Sequence, residues 1–165
     1  MDNQPLDDQK LFEYTLRSLG ARDQTSVEIS RKLARRGADE AQCARILERL
    51  TRSGIISDSD YAERFVERRG TTRGKMLLGM ELRRKGIDPT PVLAERTDDI
   101  DTDAATHTLR RRISGKPIPS DRQERQKLSA YLARRGFNYS AIRGAWQRVD
   151  ISDDLDWLET LESDE

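Results

Sequence analysis

The sequence predicts an all-α fold of three tandem three-helix repeats forming an elongated, curved helical array. Three observations carry that prediction. KLARRG at Lys32–Gly37, ELRRKG at Glu81–Gly86 and YLARRG at Tyr131–Gly136 write nearly the same six residues three times. Their glycines, at positions 37, 86 and 136, are almost evenly spaced. Apolar residues recur at helical spacing around each motif, and no segment shows the sustained alternation of a strand. A unit of roughly 50 residues is too small to bury an adequate core alone, so the copies must bury their faces against one another.

The first repeat is assigned to residues 9–56. Phe12, Leu16 and Leu19 fit one face of an opening helix. Ser26 is the expected N-cap of a second helix, on which Ile29 and Leu33 lie four residues apart on one face. Gly37 can close that helix in the left-handed conformation. Asp39 caps a third helix with the stripe Cys43, Ile46, Leu47 and Leu50.

The second repeat, 57–98, follows the same plan. The acids of SDSD at Ser57–Asp60, Asp58 and Asp60, are helix-cap residues before Tyr61, Phe65 and Val66. Leu78 and Leu82 take the places of Ile29 and Leu33, and Gly86 is the stop. Asp88-Pro89 opens a short third helix ending near Arg96. The third repeat, 99–149, has Leu109 and Ile113 on its first helix and a loop, SGKPIPSD, at Ser114–Asp121. Leu128 and Leu132 continue the paired leucines, Gly136 is the stop, and Ile142, Ala145, Trp146 and Val149 form the last stripe. The acid run Asp98–Asp103 lacks the glycine and terminal glutamate of a calcium loop, and is expected to be a solvated linker.

The charge is unevenly placed. The formal net charge is zero, with 30 basic and 30 acidic residues. Eight of those acids fall in an acidic C-terminal tail, 150–165, and three more in an acidic N-terminal extension, 1–8. Every lysine and arginine lies between them, so the body carries 30 bases against the remaining 19 acids. A basic body with acidic ends points to a polyanion or an acidic protein surface.

Several function classes find no support. Cys43 and His107 are the one cysteine and the one histidine, which argues against a zinc site and an internal disulfide and fits a reducing cytoplasm. No apolar run is long enough to cross a membrane, and the N-terminus lacks a secretory signal. His107 sits alone on a polar stretch, and Cys43 falls on a core stripe at the place of Val92 and Ile142. No catalytic constellation results, and neither enzymatic activity nor a cofactor is expected.

Arg35-Arg36, Arg83-Arg84-Lys85 and Arg134-Arg135 repeat something the core does not need. One cation in a last helical turn suits the helix dipole, by about 0.3–1 kcal/mol. Two or three adjacent ones repel each other, so they are candidate binding residues. A denser cluster holds Arg68, Arg69, Arg73 and Lys75 around glycines and threonines before a helix, a plausible phosphate-binding turn. It is not a P-loop, because G-x-x-x-x-G-K-[ST] is absent. Aromatic residues make up only 5% of the chain, which argues against base stacking and leaves electrostatic phosphate contacts.

These residues also carry a resemblance. S-x-E-I-x-x-K-L-x-x-R-G at Ser26–Gly37, G-I-I-x-D-x-x-Y-A at Gly54–Ala62 and G-x-x-x-L-x-x-E-L-x-x-K-G-I at Gly74–Ile87 resemble the RecX family of recombination regulators. YLARRGFNYSAI at Tyr131–Ile142 matches the third repeat, and the likeness covers roughly residues 11–149. Ser57-Asp58 departs from the two acids frequent there, and the third repeat's first helix is less typical. The resemblance implies a cytoplasmic bacterial protein of three tandem three-helix repeats, acting in recombination and DNA repair. It implies binding to the RecA recombinase filament and inhibition of its activities, with no cofactor and no active site. Phosphate contacts to single- or double-stranded DNA and a monomeric state are further expectations. The competing reading is a free-standing helical DNA-binding module that acts without RecA.

Overall fold

The structure, a computed structural model, describes residues 7–162, with side chains described through Asp150. Asp2, Asp164 and Glu165 lie outside the described residues, as do the side chains of the acidic segment beyond Asp150. Among the described residues every regular element is a helix. These are α1 (Asp8–Ala21), α2 (Ser26–Arg35), α3 (Glu40–Arg52), α4 (Asp58–Arg69), α5 (Lys75–Arg84), α6 (Thr90–Leu93), α7 (Asp98–Ile113), α8 (Arg122–Arg134) and α9 (Tyr139–Glu162). The order forms three successive groups of three, as the repeats predict.

By contact the chain divides into two compact units, residues 1–64 with 82–88, and residues 65–81 with 89–165. In the first unit α1 and α2 pack on α3. Its core holds Leu11, Phe12, Ile29, Leu33, Cys43, Ile46 and Leu50. In the second unit α7 packs chiefly on α9, and α8 packs on both. Leu109, Leu132, Phe137, Ala141, Ala145 and Val149 form that core. Four alanines on the facing helices, Ala104 and Ala105 on α7 and Ala141 and Ala145 on α9, permit close approach, and Gly144 goes further. A Cβ there would stand 2.7 Å from Thr102 Cγ2.

The repeated motif acquires a physical reason at its leucine and glycine. Leu33, Leu82 and Leu132 are all fully buried. In each copy the leucine carbonyl accepts the N–H of the residue after the glycine, from Ala38 at 3.1 Å, Ile87 at 3.0 Å and Phe137 at 3.3 Å. Gly37, Gly86 and Gly136 have φ of 89°, 79° and 85°, the left-handed conformation this helix ending requires. The residue after each glycine is itself buried. One six-residue phrase therefore anchors a helix, stops it and turns the chain back into the core.

Several local expectations change. The N-cap of α2 is Thr25, not Ser26: Thr25 accepts from the N–H of Glu28, whose carboxylate accepts from the N–H of Thr25. Ser26 donates its N–H to Asp58 at 2.9 Å and its hydroxyl to the same carboxylate. Asp58 thus ties α4 to the start of α2 rather than capping its own helix, and the Ser57 hydroxyl accepts from the N–H of Asp60. On α1 the buried residues are Leu11, Phe12 and Thr15, while Leu16 is exposed. Thr15 stays in the core because its hydroxyl donates to the Leu11 carbonyl at 2.9 Å. Asp7 caps α1 and Asp8 pairs with Arg45, so both acids belong to the first unit's framework. α6 stops at Leu93, short of Arg96.

The largest correction concerns the acids at 98–103. They form the opening turns of α7, capped by Thr97, and do not form a linker. Asp101 is buried, and its ion pair with Arg96 explains why an acid is tolerated there.

Candidate functional site

The basic motifs stand at the C-terminal ends of α2, α5 and α8, where unpaired helix carbonyls favour positive charge. Arg35, Arg36, Arg83, Arg84 and Arg134 are exposed, whereas Lys85 and Arg135 are half-buried. Arg36 lies over the Tyr14 ring at 3.7 Å, and Arg135 over Tyr131 at 5.1 Å. Such stacking holds a guanidinium in place while its donors still face water.

Lys85 behaves differently. Its ammonium donates to Glu28 at 3.0 Å, and its carbonyl accepts from the Thr25 hydroxyl at 2.7 Å. Burial opposes charge on both partners, yet their bonding prevails. The Glu28 carboxyl is held below its ordinary pKa by Lys85 and the Thr25 N–H, and Lys85 is raised by Tyr61 and Glu28. Lys85 therefore secures the end of α5 to the cap of α2 within the first unit.

The cluster before α5 is organised around Arg96, a residue that repeat and charge patterns do not select. Arg96 Nε donates to Asp101 at 2.6 Å, and Nη2 donates to the carbonyls of Gly70 at 2.7 Å and Arg73 at 3.1 Å. Lys75 donates its ammonium to the Arg96 carbonyl at 3.0 Å. The N–H of Lys75 donates to the other Asp101 oxygen at 2.9 Å. The helix N-terminus that would serve as a phosphate-binding turn is thus already capped by an internal carboxylate. Arg73 pairs with Glu81, and Arg69 lies 3.8 Å from the same carboxylate and 4.8 Å from the Phe65 ring. Arg68 is exposed. Gly70 and Gly74 are required by packing: a Cβ on Gly74 would stand 2.2 Å from the Gly136 carbonyl oxygen.

The candidate residues therefore fall into two kinds. Arg35, Arg36, Arg68, Arg83, Arg84 and Arg134 are exposed, while the charged groups or backbone of Arg73, Lys75 and Lys85 bond to partners within their own units. Arg69 is exposed beside Glu81, and Arg135 is half-buried over Tyr131. No group of three or more metal-ligating side chains occurs among the described residues, and no helix among them is long and apolar enough to cross a membrane. Cys43 is buried and His107 is exposed on α7.

Three family models match the chain in succession: the first three-helix domain of RecX over residues 12–50, the second over 57–91 and the third over 99–146. The chain belongs to the RecX family. A RecX regulatory protein of Chlorobium phaeobacteroides is 40% identical over 147 residues, covering 87% of this chain and 95% of that one. One from a Mycobacterium species (strain JLS) is 37% identical over 149 residues, covering 84% and 81%. The crystal structure of RecX from Lactobacillus salivarius superposes with a TM-score of 0.72 at 25% identity, covering 87% of this chain and 97% of that one. The RecX architecture of three-helix domains is the one the glycine-stopped motifs predict.

Proposed function

We propose that this RecX-family chain binds the RecA recombinase filament and restrains its recombinase and ATPase activities without chemistry of its own. The observation that supports this most is the recurrence of exposed arginines at equivalent, glycine-stopped helix ends in a regulatory-protein family. Three modules that present the same charge at the same structural place suit a partner that is itself a repeating polymer of protein and nucleic acid. Binding to successive protomers, with phosphate contacts to the DNA they hold, would oppose filament growth. Arg35, Arg36, Arg68, Arg69, Arg83, Arg84, Arg134 and Arg135 are the residues proposed for that contact. Arg73, Lys75 and Lys85 would shape the surface through their internal partners. A cytoplasmic monomer is the form proposed to act.

Such binding is electrostatic and salt-sensitive. Fluorescence anisotropy of the labelled chain, titrated with RecA on single-stranded DNA, tests it. Tight binding to the filament and weak binding to the same DNA without RecA is expected. Equal affinity for naked DNA would favour the free-standing DNA-binding module and overturn this reading.

A further inference from the structure

Within the second unit, Thr72, Thr108, Arg111, Arg112, Tyr131 and Arg135 line one cavity of about 360 Å³. Three of the six are arginines and none is an acid. Among the described residues these arginines have no carboxylate partner, in contrast to Arg73, Arg96, Arg125 and Arg148. Arg112 and Arg135 both lie over the Tyr131 ring, at 5.4 and 5.1 Å, so the two guanidinium groups are positioned before any ligand arrives. Like charges gathered without a counterion raise each other's energy, which an anion would relieve.

A second observation is independent of charge. Thr108 is only 4% exposed, and its hydroxyl has no hydrogen-bond partner. Elsewhere on α7 the Thr102 and Thr106 hydroxyls donate to carbonyls four residues earlier, at 2.8 and 2.7 Å. Thr108 makes no such bond, and a buried unpaired hydroxyl costs roughly 1–3 kcal/mol. An acceptor oxygen in the cavity would satisfy it.

We propose that this cavity binds a phosphate ester, its oxygens accepting from the guanidinium groups of Arg111, Arg112 and Arg135 and from the Thr108 hydroxyl. Arginine forks match phosphate geometry, and the cavity is at the small end of the range for ligand sites, suited to a phosphate and the sugar that carries it. The carrier can be a free or terminal phosphomonoester or a nucleic-acid phosphodiester, since both present the same oxygens.

The test titrates inorganic phosphate into the full chain by calorimetry at fixed ionic strength, with chloride as the balancing anion. Saturable binding is expected, weakened about tenfold or more by Arg111→Gln or Arg135→Gln and unchanged by Arg17→Gln, which removes an exposed charge elsewhere. Thr108→Val is the sharper variant: it should raise the melting temperature without phosphate and reduce the stabilisation phosphate gives. Competition by a 5′-phosphorylated dinucleotide alone assigns the monoester, and equal competition by its unphosphorylated counterpart assigns the diester. No saturable binding, equal loss in Arg111→Gln and Arg17→Gln, an undiminished phosphate response in Thr108→Val, or failure of both dinucleotides to compete would each overturn the proposal.

Discussion

Asp101 accepts the Nε–H of Arg96 at 2.6 Å while its second oxygen takes the N–H of Lys75 at 2.9 Å. One buried carboxylate thus fixes a guanidinium and caps a helix 26 residues away in sequence. Asp101→Ala leaves the Arg96 charge buried with carbonyl partners only, and should cost about 3–5 kcal/mol. Urea unfolding monitored by far-UV circular dichroism measures that loss. Pairing Asp101→Ala with Arg96→Met should cost less than the two single losses added together, because the double variant strands no charge.

The Glu28–Lys85 pair predicts two limbs of pH dependence. Glu28 titrates below its ordinary 4.5 in the folded state, so its contribution is present above that value and lost as pH falls through the folded pKa. Lys85 titrates above its ordinary 10.5, so its contribution is present below that value and lost as pH rises through the folded pKa. Glu28→Gln should therefore lower the melting temperature at pH 7, with the difference from the parent shrinking as the solution is acidified below about pH 4.

Glycine substitutions should separate by position. Gly74→Ala meets the Gly136 carbonyl, and Gly136→Ala meets both the Leu77 backbone at 2.3 Å and the strain of φ 85°. Each should destabilise by roughly 1–3 kcal/mol or more. Gly20, on α1, has nothing within 4 Å of a built Cβ. Gly20→Ala should stabilise by up to about 1 kcal/mol. Denaturant midpoints of the three variants test the order.

The outward arginines and the internal lysine also divide. Arg83→Gln with Arg84→Gln should leave the melting temperature nearly unchanged, weaken filament binding and reduce its salt dependence. Lys85→Gln should lower the melting temperature, because Glu28 loses its half-buried partner. Differential scanning fluorimetry beside the anisotropy titration distinguishes the two. Equal loss of stability in both variants would show that the arginines serve the fold.

These differences mark where the sequence is legible. The helix ends can be read because a left-handed glycine closes on a leucine four residues before it, a local arrangement using adjacent chain. Ser26 and Thr25 both suit a cap, and the choice between them is settled by Asp58, 32 residues later. Leu16 looks like core by hydrophobicity, but Thr15 can be buried because its hydroxyl bonds within the helix. Charge density locates basic segments without telling an outward arginine from one paired to Glu81, since that carboxylate reaches its partners only through the fold. Arg96 and Asp101 stand in no repeated phrase, and periodicity has nothing to find there. Arg110–Arg112, as dense as Arg83–Lys85, has no glycine directly after it of the kind that drew attention to the others.

The most direct test of the functional account is RecA-catalysed ATP hydrolysis on single-stranded DNA, with this protein titrated in at two salt concentrations. Inhibition well below one molecule per RecA protomer, relieved by salt and weakened by replacing the outward arginines, is the predicted result. Unchanged hydrolysis at an equimolar ratio, together with clean binding to naked duplex, would contradict it.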